Sequence, residues 1–269
     1  MKKIWSKLPA WLQAILLNLI LLFPVIIAVQ LIVQANLQSS SEWGWGLILT
    51  VLILAGYWYL VKRFNKFDQA EDIKLELTFS MSKASNWLMI LGLMCITPSV
   101  IQLTTFLFDV SSTVQTAYFE AFRAYGPGKA IPLMLAMALT AGVVEEITYR
   151  GFMQNTLNRK YQWWLSILLI AVIFTIMHLL PLPLVLPYMI ISVMFSLVAE
   201  KTKSTGVVIF AHVLVDFVLF TLIYYEATSL TQVHSSVIMG NLVLLIVGIL
   251  VLFYYLNSSK RTLLSLRTS

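Results

Sequence analysis

The sequence predicts an all-α fold: a polytopic membrane bundle of about eight transmembrane helices, in one membrane-embedded domain over residues 1–269. Hydrophobic residues make up 59% of the chain and charged residues only 11%, whereas a soluble domain carries about a quarter charged residues. The apolar residues form repeated blocks of roughly twenty, the length that crosses a hydrocarbon core about 30 Å thick. Basic residues gather at the ends of alternate blocks, as they do in membrane proteins.

Each apolar block is predicted to be a helix, because a segment in lipid must satisfy its own backbone amides. The first block follows Lys2, Lys3 and Lys7. It is too long for the apolar region of a signal peptide and ends without a cleavage motif, so it is predicted to be a retained helix. The predicted spans are 10–35, 46–62, 85–108, 131–157, 162–180, 183–200, 205–225 and 237–257.

The placement of basic residues predicts the topology. With the N-terminus in the cytoplasm, 15 of the 18 Lys and Arg residues lie in cytoplasmic segments, and only Arg123 and Lys129 lie in outer ones. This is the positive-inside distribution, and it predicts cytoplasmic N- and C-termini in a bacterial plasma membrane. The basic residues flank apolar spans and form no patch interleaved with aromatics. The lipid bilayer is therefore an expected partner, and nucleic acid is not.

Apart from residues at the very ends of the predicted spans, six charged or histidine residues fall within them. Each costs a few kcal/mol or more at bilayer depth, so each is expected to face the interior of the bundle and to have a partner. The chain has only three histidines, and two of them belong to this set. The six residues are Glu145, Glu146, Arg150, His178, His212 and Asp216.

Two of these residues are adjacent glutamates in the fourth span. Glu146 and Arg150 are four residues apart, so on a helix they share a face and can form a charge-assisted pair. Glu145 lies about 100° around the helix from Glu146 and is free to point elsewhere. One glutamate held by arginine and one left over fits acid–base catalysis. A structural clasp, with the second glutamate solvated in a crevice, fits equally well.

The two histidines lie in the fifth and seventh spans. A lone histidine such as His178 is more often a packing residue with one satisfied nitrogen than a catalyst. His212 and Asp216 are one helical turn apart, so the carboxylate can fix the tautomer of the imidazole. This pair is as often structural as functional. If the three helices converge, however, their side chains can activate water and stabilise an oxyanion.

The order of these motifs resembles the CAAX protease and bacteriocin-processing family, also called the Abi family. Its pattern is Glu-Glu-x-x-x-Arg, then Phe-x-x-x-His, then His-x-x-x-Asn/Asp, on successive hydrophobic helices. The resemblance covers residues 130–220, which it marks as the catalytic core. Here the motifs are Glu145-Glu146-x-x-x-Arg150, Phe174-x-x-x-His178 and His212-x-x-x-Asp216.

The resemblance implies roles for these residues. Glu145 would be the general base that activates water, with His178 assisting. His212 and the residue at 216 would form the oxyanion hole, and Glu146 and Arg150 would hold Glu145 in place.

Two chemical questions accompany the resemblance. The family has been described as metal-dependent, but the residues here favour a metal-free mechanism without cofactor; if zinc were bound, Glu145, His178 and His212 would be its ligands. The eukaryotic prenyl proteases have asparagine where this chain has Asp216. An ionised aspartate repels an oxyanion, so either Asp216 is protonated or it orients His212, whose imidazole donates instead. The second arrangement is our hypothesis.

The leading functional prediction is an intramembrane endopeptidase whose partner is a hydrophobic or membrane-associated peptide. Family habit favours processing of a bacteriocin, pheromone or leader peptide, or self-immunity, over a prenylated protein. One alternative is a non-catalytic regulator or immunity protein that binds another membrane protein. A proton-coupled transporter ranks last, because the chain shows no inverted repeats.

Overall fold

The structure is a computed structural model that describes residue 5 and residues 7–68, 84–108, 122–226 and 235–265. The described residues form helices and no strand, as the sequence predicts. Eight helices follow one another in chain order: α1 Ala10–Gln38, α2 Gly46–Asp68, α3 Ala84–Leu107, α4 Pro127–Asn158, α5 Trp163–Met177, α6 Leu182–Thr202, α7 Thr205–Glu226 and α8 Ser235–Ser265.

Seven of these helices are long and apolar enough to cross a membrane, and the chain is an integral membrane protein. The exception is α5, for which the sequence predicted a span over 162–180. This apolar helix has only 15 residues, a length of roughly 22 Å at the usual helical rise. It is therefore too short to cross a core of about 30 Å upright.

Proline and backbone geometry explain why α5 ends early. His178 is its last helical residue by backbone angles, and Leu179 then adopts a positive φ of 48°. Pro181, which precedes α6, has extended backbone angles. A left-handed residue followed by proline cannot continue a helix. The chain therefore turns back directly after His178.

Helix α4 lies at the centre of the bundle. In its most apolar window 61% of residues are buried, compared with 17% in α8. Gly142 permits α7 to approach α4 closely, because a Cβ atom at this position would lie 2.4 Å from Val213 Cγ2 and 2.8 Å from Val213 N. Close approach through small residues is a common way for membrane helices to pack.

Most of the segment of α4 that carries the two glutamates and Arg150 departs from the α-helical geometry that the sequence predicted. Residues Ala141–Glu145 and Ile147–Met153 form π-helical turns, with only Glu146 between them. A π-helical turn widens the helix by one residue, and such turns are frequent at functional sites. The two glutamates therefore lie where the backbone of α4 is least regular.

Candidate active site

Glu146 and Arg150 form a buried ion pair within α4, as the sequence predicts. Arg150 Nη1 donates to Glu146 Oε1 at 2.8 Å, and both side chains are almost completely buried. Arg150 Nη2 also donates to the carbonyl oxygen and the hydroxyl of Ser192 on α6, at 3.1 and 3.0 Å. The arginine thus ties two helices together, and these partners offset part of the cost of burying its charge.

Glu146 holds a second partner on another helix. His212 Nδ1 on α7 lies 2.7 Å from Glu146 Oε1, the same oxygen that accepts from Arg150. On the far side of the ring, His212 Nε2 lies 3.4 Å from Asp216 Oδ2. The imidazole therefore stands between two carboxylates. The contact with Glu146 is short and well defined, and the contact with Asp216 is longer.

Glu145 points to a different histidine. Its Oε2 lies 3.9 Å from His178 Nε2 and has no hydrogen-bond partner within the described structure. The separation is too long for a direct hydrogen bond. Glu145 Oε2 is buried beside the ring without a direct bond to it. The two adjacent glutamates are thus divided between two histidines.

The backbone at the end of α5 orients the ring of His178. Its Nδ1 lies 2.7 Å from the carbonyl oxygen of Phe174. A carbonyl oxygen only accepts hydrogen bonds, so Nδ1 carries the proton and donates it. In the neutral ring, Nε2 then carries the lone pair and faces Glu145.

Aromatic rings enclose these charged groups. The ring of His178 lies 4.2 Å from that of Phe174 and 5.3 Å from that of Tyr188, measured between centroids. The Arg150 guanidinium lies 5.2 Å from the Phe174 centroid and 5.6 Å from that of Phe195. The rings exclude water from the ion pair, and stacking on them stabilises the cation.

The structure brings all six sequence-predicted residues together, from α4, α7 and the end of α5. Electrostatic contact links Glu145 to both histidines, to Asp216 and to Glu146. The 3.9 Å contact between His178 Nε2 and Glu145 Oε2 brings the end of α5 to the same site as α4 and α7.

The residues do not fit the zinc site that the sequence allowed. Within the described ranges, no group of three or more His, Cys, Asp or Glu side chains is arranged to hold a metal. Both ring nitrogens of His212 face carboxylates, and Nδ1 of His178 is used by the Phe174 carbonyl. A zinc ion ligated by Glu145, His178 and His212 would need His212 to leave one of its partners.

Sequence reasoning missed several residues that complete the site. Ser192, Tyr188 and Phe195 come from α6, which carries none of the three motifs. Aromatic residues are common in any apolar helix and give no signal by themselves. The serine gives a signal, because Ser192, Ser196 and Glu200 follow one another at intervals of four on an otherwise apolar helix.

Fold and site together define the class of protein: an integral membrane protein with a buried carboxylate–imidazole centre. Residues 127–218 match the family model of the Rce1-like type II CAAX prenyl endopeptidases. The match covers about a third of the chain, and within it lie all six of the ionisable residues described above. No match was found among curated proteins or among solved structures.

Proposed function

We propose that the chain is an intramembrane endopeptidase that hydrolyses a hydrophobic or membrane-associated peptide, with Glu145 and His178 activating water. The observation that carries this proposal is the pairing of Glu145 Oε2 with His178 Nε2 at 3.9 Å. Glu145 Oε2 has no other partner within the described structure. A carboxylate and an imidazole lone pair that both face one gap can hold and polarise a water molecule.

The reaction follows from these positions. Water lies between Glu145 and His178, gives its proton to the Glu145 carboxylate, and attacks the carbonyl carbon of the scissile peptide bond. The proton on Glu145 passes to the leaving nitrogen as the carbon–nitrogen bond breaks. The products are a carboxylic acid and an amine, and Glu145 returns to its ionised form.

His212 is the proposed donor to the oxyanion. Its Nδ1 is held by Glu146 at 2.7 Å, which fixes the orientation of the ring, whereas the 3.4 Å contact of Nε2 with Asp216 is longer. In the doubly protonated ring, the weakly held Nε2–H can be shared between Asp216 and the developing oxyanion without rotation of the ring. Donors fixed before the reaction are the most effective at this task, because they need no reorganisation.

The resemblance assigned Glu146 and Arg150 to holding Glu145. The contacts support a different division of labour, in which Arg150 holds Glu146 and Glu146 holds His212. The ion pair of Arg150 and Glu146 would therefore position the oxyanion donor His212 rather than the base Glu145. The mechanism we propose uses neither metal nor cofactor.

The proposal also covers the membrane in which the enzyme lies, its orientation and its partners. The positive-inside distribution supports a bacterial plasma membrane with both termini in the cytoplasm. The lipid bilayer and a peptide substrate are the proposed partners. A bacteriocin, pheromone or leader peptide fits this setting, for processing or for self-immunity, and no role with nucleic acid is proposed.

The test uses the purified full-length chain in liposomes. Hydrophobic leader-like peptides and farnesylated CaaX peptides are supplied in parallel, and mass spectrometry detects cleavage. Glu145→Gln keeps the shape of the side chain but cannot take a proton, and loss of such a group costs about 10²–10⁴-fold in rate. We expect a loss of this size in Glu145→Gln, a large loss in His178→Ala, and wild-type cleavage in the exposed control Glu42→Gln.

The opposite results are equally informative. Cleavage by Glu145→Gln at the wild-type rate would remove Glu145 as the base. If the chain cleaves no peptide, and its cellular role survives both active-site substitutions, the non-catalytic regulator is the better description.

A further inference from the structure

A second row of buried polar residues runs away from the ion pair between α4 and α6. Arg150, Gln154 and Asn158 follow one another at intervals of four on α4, and Ser192, Ser196 and Glu200 do so on α6. We call these six residues the polar seam. A spacing of four keeps side chains on one face of a helix, so the two rows face each other.

The contacts across the polar seam form three rungs, each joining residues 42 positions apart in the sequence. Arg150 donates to Ser192 in the first rung. Gln154 Nε2 donates to the Ser196 carbonyl oxygen at 3.2 Å in the second. Asn158 Nδ2 donates to Glu200 Oε2 at 3.2 Å in the third. The seam is therefore built as a regular structure.

These rungs leave polar atoms without partners. Arg150 Nε, Gln154 Oε1, Ser196 Oγ and Asn158 Oδ1 are buried and make no hydrogen bond within the described structure. Gln154 is only 2% exposed and Ser196 is completely buried. A buried polar group without a hydrogen bond destabilises the folded state. A ligand that satisfied them would stabilise the fold.

A cavity adjoins three of these four residues, all but Ser196. Its volume is about 70 Å³, and its lining includes Arg150, Gln154 and Asn158 at one side and Glu200 and Lys203 near the end of α6. Water occupies about 30 Å³ in the liquid, so the cavity has room for on the order of two molecules. The lining is mainly polar, which is the condition for a cavity to hold water.

The charges of the lining exclude other small ligands. Arg150 is paired with Glu146, and Glu200 with Lys203, so the lining is neutral overall. A metal ion would need several carboxylates or imidazoles, and the lining offers one carboxylate. The unpartnered atoms include a donor, two acceptors and a hydroxyl, and water is the ligand that can both donate and accept.

We propose that the polar seam is a water-binding site that opens near Lys203 and reaches Arg150. Water in the seam completes the hydrogen bonds of Arg150 on the side away from Glu146. The bearing on catalysis rests on the proposed function: hydration of Arg150 keeps Glu146 in place to hold His212. The hydration itself does not depend on that function.

The first measurement uses the unaltered chain, labelled with ¹⁵N-arginine in detergent micelles. Magnetisation transfer from water to Arg150 Nε–H is recorded, and the signal is assigned by its loss in Arg150→Lys. We expect exchange at least ten times faster than that of the slowest main-chain amides of α4. Asn158→Leu should slow this exchange several-fold, whereas Asn241→Leu, at a buried asparagine on α8, should not.

The second measurement uses silver ions, which are small enough to follow water and react with thiols. In a chain with Cys95→Ala, Gln154→Cys places a thiol in the seam and Leu157→Cys places one in the adjacent apolar core. We expect the first to react at least ten times faster. Slow exchange at Arg150 in the unaltered chain, or equal reaction of the two thiols, would overturn the proposal. Neither measurement needs peptide cleavage, so either can fail while the proposed protease activity stands.

Discussion

Glu146 and His212 are joined across two helices by a 2.7 Å contact between Oε1 and Nδ1. Because the same oxygen accepts from Arg150 Nη1 at 2.8 Å, one carboxylate oxygen links an arginine to an imidazole. A substitution of Arg150 is therefore expected to alter the position of His212, and a displacement of His212 to alter the ion pair. The first two predictions follow from it.

Arg150→Met is expected to destabilise the protein, because it leaves the buried Glu146 carboxylate without its guanidinium. Breaking one partner of a buried ion pair typically costs about 3–5 kcal/mol. The double variant Glu146→Gln/Arg150→Met removes both charges, so it should recover much of the stability but not the peptide cleavage, since His212 loses its carboxylate. Thermal unfolding in detergent and the liposome assay measure the two quantities.

The matched control for this prediction is Lys203→Met, which removes an exposed ion pair with Glu200. Exposed pairs contribute about 0–1 kcal/mol, so little change in unfolding is expected. A double variant no more stable than Arg150→Met alone would show that the pair is not the source of the loss.

Gly142→Ala is expected to weaken cleavage by about tenfold, a change of roughly 1.4 kcal/mol in the barrier. The added Cβ would lie 2.4 Å from Val213 Cγ2 and 2.8 Å from its backbone nitrogen, so α4 and α7 must move apart. That movement lengthens the contact between Glu146 and His212. In contrast, a Cβ at Gly56 meets nothing within 4 Å, so Gly56→Ala should cleave at the wild-type rate. Equal activity of the two variants would contradict the prediction.

Substitution of Asp216 separates its two possible roles, which are to orient His212 or to act in protonated form at the oxyanion. If it orients His212, Asp216→Asn should keep activity within about threefold, because the amide oxygen can still accept from the ring. Asp216→Ala should lose about 10–100-fold, the usual cost of removing a partner that orients a histidine. Cleavage rates at saturating peptide measure the difference. Identical rates in the wild type and both variants would show that Asp216 has no part in the reaction.

Removal of metal should leave cleavage unchanged. His212 presents both ring nitrogens to carboxylates, so it offers no free nitrogen to zinc. The purified chain is dialysed against 1,10-phenanthroline and assayed beside a zinc peptidase that loses activity in the same buffer. A loss of cleavage that added zinc restores would show that His212 or its neighbours rearrange to bind metal.

The sequence was sufficient to predict the helical bundle and the charged residues that lie inside it, because a charge within an apolar membrane span has a high energetic cost. Apolar blocks of membrane length and charges within them stand out from composition alone. The pairing of Glu146 with Arg150 was also predictable, since it lies within one helix. These are features in which neighbours in sequence are neighbours in space.

Features that depend on packing between helices were not predictable in this way. The partnership of Glu146 with His212 needs α4 and α7 to meet at a particular rotation. The π-helical turns around the glutamates shift that rotation, and nothing in local propensity indicates them. The shortness of α5 was missed because an apolar run does not show where a helix ends within it. The polar seam was predictable in principle from the four-residue spacing on α6.

The carbonyl oxygen of Phe174, which accepts from His178 Nδ1 at 2.7 Å, belongs to the main chain. Every residue type would present that oxygen, so a substitution at position 174 can change the ring beside His178 without deleting the hydrogen bond. The tautomer and orientation of the His178 ring beside Glu145 therefore depend on the backbone at the end of α5. They do not depend on which side chain occupies position 174. Changes that lengthen or unwind the last turn of α5 are the ones that would alter it.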